Sequence, residues 1–321
     1  MVKLVKDRVP DTVDMRDAYC AALMEAAQKD PAIVAVDCDL TSSMGMKSFE
    51  LKYPDRHFNV GIAESNGTGI AAGLSAAGLN PFYHTFSCFA SRRVYDQVFL
   101  SCAYAGQNVK IIGGDSGVTA TYNGGTHMSF EDMGIMRNLP EVTVLEPTDT
   151  VMLREITKQL TTYRGVVYMR FPRRATVRVY EAGSDFQIGK AVSVREGRDA
   201  TIIAIGICVS EAVKAADLLA EQGIDAGVLD MFTIKPADVD AVVAAAERTG
   251  AIVTAENHNI INGLGSAVAE ILAEHCPVPM ERVGVQDEFG EVGQQDYLME
   301  RFGLTAPYIV EKVLKVLERK A

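Results

Sequence analysis

The sequence lacks the features that several common classes of protein require. Basic residues are not in excess, because 31 Lys and Arg stand against 42 Asp and Glu, which gives a net charge of −11. This balance argues against nucleic acid as the main partner, since binding to phosphate backbones requires a basic face. No apolar run approaches the roughly 20 residues that span a bilayer, so we expect no membrane partner either.

Cysteine pairs and metal-binding motifs are also missing. None of the six cysteines forms a Cys-x-x-Cys pair, and neither a His-Glu-x-x-His motif nor a P-loop occurs. We therefore expect no metal ligands in this chain. Most cysteines lie in apolar segments, which favours reduced, buried thiols, and residues 1–16 are charged throughout without a secretory signal. Both features predict a cytoplasmic protein.

Short apolar runs alternate with helical patterns along most of the 321 residues. This alternation predicts an α/β fold, with two consecutive open α/β domains and mainly parallel sheets covered on both faces. We place the first domain at residues 1–175, a linker with a short β element at 176–195, and the second domain at 196–321. Within the first domain we expect one helix over 89–105 and a long glycine-rich loop over 113–129.

Glu64 is the first candidate for chemistry. It follows the apolar residues Ile62 and Ala63 and opens a segment of Gly, Ala and Ser, which lets another backbone or a flat ring approach closely. A carboxylate in such surroundings can share a proton with a ring nitrogen, which is acid–base chemistry. The alternative is an ordinary helix N-terminal carboxylate, favoured by the helix dipole.

Aromatic and titratable residues follow two other predicted strands. Phe86 and Phe89 are three residues apart at a strand-to-helix junction, so they share one side of the first turn and could hold a planar heterocycle; the alternative is core packing. His127 lies in the glycine-rich loop and could exchange protons near neutral pH, or simply be solvated. Arg170 ends a strand and could bind a phosphate, or form a salt bridge across the linker.

Together these motifs resemble the pyrimidine domain of thiamine-diphosphate enzymes of the transketolase type. The motifs are Gly-Ile-Ala-Glu at 61–64, Thr-Phe-x-x-Phe at 85–89, Tyr-Asp-Gln at 95–97, Gly-Asp-Ser at 114–116 and Thr-His at 126–127. Asp-Cys-Asp-Leu at 37–40 and Val-Tyr-Met-Arg at 167–170 fit the same pattern, and Glu-Asn at 256–257 resembles the family's C-terminal domain. The resemblance covers nearly the whole chain.

The resemblance implies roles for particular residues. Glu64 would hydrogen-bond the aminopyrimidine nitrogen of the cofactor and act in catalysis, Phe89 would stack on the ring, and His127 would act on the substrate sugar's oxygens. The other implied cofactor-binding residues are Phe86, Arg92, Ile62, Asp39 and Leu40. The implied substrate-binding residues, some of them for a sugar phosphate, are Arg16, Ser42, Ser43, Asn123, His127 and Arg170.

The Gly-Asp-Gly of the family's metal and diphosphate signature does not occur in this chain, which starts just before the pyrimidine domain. The sequence therefore resembles the C-terminal subunit of a split transketolase. The resemblance implies an N-terminal partner subunit that carries most contacts to the diphosphate and to Mg²⁺, Ca²⁺ or Mn²⁺. It also implies an α2β2 assembly and no catalysis by this chain alone.

Three departures from the transketolase pattern keep other functions open. Gly114 and Asn123 stand where His and Asp are common, and Arg92 stands where Tyr is common. Arg92, followed by Tyr-Asp-Gln, favours a deoxyxylulose-phosphate synthase. The β subunit of a 2-oxo acid dehydrogenase shares the two-domain plan and the Glu. An alternative of another class is a non-catalytic scaffold subunit.

Overall fold

The computed structural model describes residues 2–320, in which strands and helices alternate as predicted. The strands are β1 (Ile33–Asp37), β2 (His57–Asn59), β3 (Asn80–Phe86), β4 (Lys110–Gly114), β5 (Thr143–Leu145), β6 (Val167–Phe171), β7 (Val192–Arg195), β8 (Ala200–Ala204), β9 (Ala226–Asp230), β10 (Thr233–Lys235), β11 (Ile252–Asn259) and β12 (Met280–Val285). The α-helices are α1 (Met15–Lys29), α2 (Lys47–Lys52), α3 (Glu64–Ala76), α4 (Ser87–Ser91), α5 (Tyr95–Gln97), α6 (Asp132–Arg137), α7 (Thr150–Leu160), α8 (Cys208–Ala220), α9 (Val239–Thr249), α10 (Leu264–His275), α11 (Gln295–Arg301) and α12 (Ala306–Glu318).

The first sheet has the strand order β10-β5-β6-β4-β3-β1-β2, and all its pairs are parallel except β10 with β5. Every residue of β1, β3, β4 and β6 is buried, because helices cover both faces. Ile33 and Phe82 belong to the core with α1 and α7, whereas Val36 and Tyr83 pack with α3. The parallel arrangement brings the carboxyl ends of these strands to one edge, where ligands bind in open α/β sheets.

The second sheet has the order β12-β11-β8-β9-β7, with only β7 antiparallel to its neighbour. The fold class predicted from the sequence, two α/β domains with mainly parallel sheets, is thus confirmed. Strand β7 is the short β element expected in the linker. Within residues 2–320 the six cysteines are free thiols, five of them buried. No helix in that range is both long and apolar enough to cross a bilayer.

Strand β10 shows that the two sheets are not separate along the chain. It leaves the second domain after β9 and pairs with β5 of the first sheet, with Thr233 opposite Leu145. The chain before α1 also returns to the linker, because Pro10 bridges to Val177. The two domains are therefore joined by backbone hydrogen bonds as well as by side chains.

The prediction of one continuous helix over residues 89–105 is wrong. The structure divides this segment into α4, α5 and a π-helix over Val98–Tyr104. The hydroxyl of Ser91 donates to the carbonyl of Ser87 at 2.6 Å, a bond that bends helices, and Val94 then adopts φ −121°, outside the helical region. This break sets the direction in which Arg92 and Arg93 project.

The glycine-rich segment is also more ordered than expected. Between β4 and residue 129 it contains a 3-10 helix over Gly117–Asn123, within which Thr121 has φ 47°. Helices α2 and α6 and strand β10 were not predicted either. Each has six residues or fewer, too short for hydrophobic periodicity to identify.

Candidate active site

Glu64 is the first residue of α3, just beyond the end of β2. The turn between them passes through Gly61, whose φ of +75° favours glycine. The Glu64 carbonyl accepts hydrogen bonds from the Thr68 hydroxyl at 2.9 Å and the Tyr83 hydroxyl at 3.2 Å. These bonds fix the first turn of the helix on β3, so that the position of the Glu64 carboxylate is well defined. Its side chain is only 3% exposed.

Arg93 is the cation that meets this carboxylate. Its Nη1 lies 2.8 Å from Oε1 of Glu64, and its guanidinium carbon lies 3.7 Å from the centre of the Phe89 ring. The two contacts show that the Glu64 carboxylate and a face of Phe89 border the same small space. The sequence analysis did not assign Arg93 to the site. Its spacing of four residues from Phe89 is a local signal for the contact between the two side chains.

Three rings cluster beside Glu64, at the carboxyl end of β3. The ring centres of Phe86 and Phe89 are 6.2 Å apart, and His127 meets their edges at 6.1 and 5.2 Å. His127 Nδ1 lies 2.8 Å from the Thr126 hydroxyl, which orients the imidazole. Phe86 is buried and Phe89 half-buried, so Phe89 keeps part of its surface accessible. The structure thus brings together the predicted residues Glu64, Phe86, Phe89 and His127.

Asp39, Leu40 and Ile62 lie on the turns that follow β1 and β2. Asp39 has φ 62°, and its backbone N–H donates to Oδ1 of Asn59 at 3.1 Å. Oδ1 of Asp37 accepts from the N–H of Leu40 at 2.7 Å, and burial raises the pKa of Asp37 to about 6. Ile62 is 77% exposed immediately before the buried Glu64. The contact of Asp39, Leu40 and Ile62 with a cofactor stays a prediction.

Arg16 and Ser43 meet near the end of β4. Nη1 of Arg16 donates to the Ser43 carbonyl at 3.2 Å, and Ser42 beside it is exposed. A Cβ built on Gly114 would lie 2.5 Å from the sulfur of Met44. The thioether of Met44 therefore fills the space next to Gly114, where the sequence resemblance would have a histidine.

Arg173 lies beside the predicted site residues Arg16 and Phe86, and the sequence analysis did not identify it. The N–H of Arg16 donates to its carbonyl at 3.3 Å, so the two arginines are neighbours. Nε of Arg173 lies 2.7 Å from Oδ2 of Asp115, and its guanidinium is 5.0 Å from the Phe86 ring centre. The amide of Asn123 also donates to Oδ2 of Asp115, at 3.5 Å. Arg173 lies just before the predicted linker at 176–195, and the sequence analysis did not consider it for the site.

The prediction that Arg170 binds a substrate phosphate is wrong. Its side chain is fully buried, with Nη1 2.7 Å from Asp132 and Nη2 2.8 Å from Glu146. Nη2 also donates to the carbonyl of Asn257 in the second domain, at 2.9 Å. Two carboxylates already neutralise this guanidinium and no face of it is accessible. Arg170 instead joins the two domains through its hydrogen bond to Asn257. Its two ion pairs lie within the first domain, so they are not the salt bridge across the linker that the sequence analysis considered.

Arg92 contacts Glu131 and the segment that carries His127. It donates to Oε1 of Glu131 at 3.0 Å and to the carbonyl of Thr126 at 2.5 Å. These contacts link α4 to the segment that carries His127. Within residues 2–320, no three His, Cys, Asp or Glu side chains gather in a way that could hold a metal ion.

Comparison with known proteins bears directly on this site. A family model of the transketolase pyrimidine binding domain matches residues 11–178, and a model of the transketolase C-terminal domain matches residues 189–309. The chain belongs to the transketolase family. Membership implies dependence on thiamine diphosphate, and the residues around Glu64 and Phe89 lie within the matched pyrimidine binding domain.

Individual transketolase-family proteins resemble the chain over almost its full length. A 6-deoxy-6-sulfo-D-fructose transketolase subunit from Clostridium sp. (strain MSTE9) is 55% identical over 306 residues, 95% of each chain. A 1-deoxy-D-xylulose-5-phosphate synthase of Geobacter sulfurreducens is 36% identical, but the match covers 92% of this chain and only 47% of that protein. The relatives are thus transketolase-type transferases, and the synthase is about twice as long as the matched region.

A solved structure also matches the chain over almost its full length. It is described as a split gene transketolase, inactive beta4 tetramer, and it is 41% identical with a TM-score of 0.89. The match covers 97% of this chain and 100% of that one. That protein is therefore a subunit of the same two-domain extent.

Proposed function

We propose that this chain is the C-terminal subunit of a split transketolase. With an N-terminal subunit it transfers a two-carbon ketol unit reversibly from a ketose to an aldose, using thiamine diphosphate. The single observation that carries the proposal is that the Glu64 carboxylate and one face of the Phe89 ring border the same small space. A planar N–H donor, the guanidinium of Arg93, contacts both at once, which supports a site suited to a flat aminopyrimidine.

Each residue of the site has a distinct part in this proposal. Glu64 shares a proton with a ring nitrogen of the aminopyrimidine. Because the Glu64 side chain is almost completely buried, water is excluded from this proton exchange. Phe89 supports the ring from one face, and Phe86 closes the pocket behind it. His127 orients the hydroxyl oxygens of the sugar. Thiamine diphosphate, when bound, supplies the nucleophilic carbon that ketol transfer requires.

An N-terminal partner completes the site in this proposal. No group of side chains within the described range could hold the divalent ion of the diphosphate, so we assign Mg²⁺, Ca²⁺ or Mn²⁺ mainly to the partner. Ile62, Leu100 and Tyr104 are 77%, 51% and 84% exposed, and the π-helix that carries the last two packs against α3. Such apolar exposure supports a subunit interface. The name of one solved relative describes a tetramer of β chains as inactive, which supports the need for a partner subunit. We propose that the catalytic assembly is α2β2.

The substrate in this proposal is a ketose with an anionic end group. Arg16 and Arg173 are adjacent and partly exposed, at 23% and 24% of their side-chain surface. Two guanidinium groups can bind a phosphate or a sulfonate with fixed geometry. The sulfofructose substrate in the name of one relative supports this class. Ser42, Ser43 and Asn123 are further candidates for contacts to the substrate.

Four assays of the reconstituted pair of subunits separate the candidate functions. A 6-phosphorylated and a 6-sulfonated ketose, each with an aldose acceptor, test ketol transfer. Pyruvate with a triose phosphate tests the synthase, and pyruvate with a lipoyl acceptor tests the dehydrogenase. We expect turnover with the ketoses. Enzyme-like ketol transfer by this chain without its partner would contradict the split site.

Glu64→Gln tests the proposed chemistry against a non-catalytic scaffold. The amide keeps the size of the side chain but cannot take up the ring proton, so we expect ketol transfer to fall by about a hundredfold or more. Assembly, measured by sedimentation of the mixed subunits, should be unchanged. Glu247→Gln, an exposed position on α9, is the matched control. Full activity of Glu64→Gln would support the scaffold instead.

A further inference from the structure

Arg93 lies in the space that the proposed function assigns to the aminopyrimidine ring. The guanidinium carbon is 3.7 Å from the centre of Phe89, and Nη1 is 2.8 Å from the Glu64 carboxylate. Neither aromatic neighbour of Phe89 lies parallel to it, because His127 meets it at an interplanar angle of 70° and Phe86 at 38°, with ring centres 6.2 Å apart. The stacking face and the hydrogen-bonding oxygen are therefore both taken by one side chain.

The chemistry of a guanidinium explains why it fits there. It is flat, delocalised and rich in N–H donors, so it stacks on an aromatic face and bonds a carboxylate at the same time. An aminopyrimidine also has a flat face, and its ring nitrogen would share a proton with the carboxyl group of Glu64 that Arg93 bonds. Two flat groups cannot stack on the same face of Phe89 while bonding the same oxygen of Glu64. Binding of the cofactor ring therefore requires the Arg93 side chain to leave.

The surroundings of Arg93 allow this movement. Its side chain is 43% exposed, whereas that of Glu64 is 3% exposed, so the arginine can reach solvent while the carboxylate cannot. The backbone is held in place, because the Ser65 hydroxyl donates to the Arg93 carbonyl at 3.5 Å. Burying a carboxylate without a cation is costly, so an arginine at this point stabilises the subunit until another group takes over.

We propose that Arg93 is a displaceable plug of the pyrimidine pocket. In the subunit without cofactor it neutralises Glu64 and covers Phe89, and it swings outward when the cofactor ring enters. This inference rests on the proposed function, because it takes Glu64 and Phe89 as the cofactor's contacts. The plug makes cofactor affinity depend on the population of the open conformation.

Calorimetric titration of thiamine diphosphate with Mg²⁺ into the two-subunit complex tests the plug. The variant is Arg93→Met, which keeps the length and the apolar stem but removes the guanidinium. If the plug is closed about nine tenths of the time, its removal should lower the apparent Kd about tenfold. The control is Arg154→Met, a similarly exposed arginine that pairs with Glu25 on a different helix, and its Kd should equal that of the wild type.

A second measurement, on the free chain, needs no cofactor. Arg93→Met should lower the melting temperature by leaving Glu64 unpaired, and this loss should disappear in a Glu64→Gln background, as expected of a coupled pair. Arg93→Lys, which keeps the charge without the flat face, should bind the cofactor with an intermediate Kd. If Arg93→Met fails to assemble with the partner subunit, the Kd of Arg93→Lys provides the test instead.

The outcomes separate this inference from the function on which it rests. A Kd of Arg93→Met equal to or weaker than that of the wild type overturns the plug, even if Glu64→Gln still weakens binding. A wild-type complex that does not bind thiamine diphosphate, or binds it independently of Glu64, overturns the proposed function and the plug together. A melting temperature of Arg93→Met that is unaffected by the Glu64 background also overturns the plug.

Discussion

At the scale of single residues, the buried carboxylates differ in what neutralises them. Glu64 pairs with Arg93, and Asp115 with Arg173, whereas no cation of residues 2–320 forms an ion pair with Asp230. Oδ2 of Asp230 accepts from the hydroxyl of Tyr180 at 2.6 Å and from that of Thr148, and its Oδ1 has no hydrogen-bond partner within the described residues. Burial raises the pKa of Asp230 to about 7. Its ionisation therefore opposes folding near neutral pH.

We expect Asp230→Asn to stabilise the chain at pH 8 by about 2 kcal/mol. A pKa shift of about three units corresponds to about 4 kcal/mol, and leaving the new amide N–H groups without a partner costs about 2 kcal/mol of this. Because the folded-state pKa is raised above the unfolded value, the folded chain holds its proton longer. Stability is therefore lost as the pH rises from about 4 to about 7. The amide has no proton to lose and can still accept from both hydroxyls. Urea unfolding at pH 5 and pH 8 measures the difference.

The matched control is Asp240→Asn, at an acid whose side chain is 95% exposed. It should leave the pH dependence of unfolding as in the wild type. If Asp230→Asn shows the same slope between pH 5 and pH 7 as the control, the buried carboxyl is not the cause of that slope.

At the scale of elements, α3 shows two different uses of glycine. A Cβ on Gly67 would lie 3.0 Å from the Tyr83 ring and 3.1 Å from both Cys38 and Val60. The same atom on Gly73 would meet nothing within 4 Å. The first glycine lets α3 approach the sheet, which positions Glu64 at its start. The second has no packing role in this chain.

We expect Gly67→Ala and Gly73→Ala to change the stability of the free chain in opposite directions. In a helix interior alanine is favoured over glycine by about 1 kcal/mol, which Gly73→Ala should gain in full. Gly67→Ala should instead destabilise the chain by a net amount of about 1 kcal/mol, because the three side chains that the new Cβ meets must shift. Urea unfolding of the two variants side by side measures both. Equal stabilisation would mean that the contact of α3 with β3 is looser than the distances indicate.

At the scale of the whole molecule, a buried polar cluster joins the two domains. Asn257, on β11, accepts from the N–H of Val118 at 3.0 Å and donates to the carbonyl of Ser116 at 2.9 Å. Arg170 adds its bonds to Glu146, Asp132 and the Asn257 carbonyl. The segment that follows β4 and leads to His127 is therefore held by the second domain. The Glu-Asn motif of β11 supports the site without lying in it.

We expect Arg170→Met to destabilise the chain by about 3–5 kcal/mol, because it leaves two buried carboxylates without their cation. Calorimetric unfolding of the free chain, without any substrate, measures this loss. Arg198→Met is the control, since that arginine is 86% exposed, and its effect should stay within about 0.5 kcal/mol. Unchanged stability of Arg170→Met, with weaker binding of a sugar phosphate, would restore the phosphate role.

The sequence by itself determined the order of strands and helices and the placement of Glu64, Phe86, Phe89 and His127 after strand ends. Period and turn chemistry are local properties, and parallel strands bring such ends together whatever the details of packing. The family resemblance depends on the same local motifs. Short elements such as α2, α6 and β10 were not predicted, because they contain too few residues to show a hydrophobic period.

Only the tertiary structure decided which arginines lie beside the candidate site. Arg93, Arg170 and Arg173 all lie near strand or helix ends, and apart from the spacing of Arg93 from Phe89 nothing local separates them. Arg170 is buried because Asp132 and Glu146, which are distant in sequence, converge on it. Arg93 meets Glu64 because helix α4 ends after one turn, and Arg173 meets Asp115 across the sheet edge. A charge takes its role from the opposite charges that folding brings to it, and those come from far along the chain.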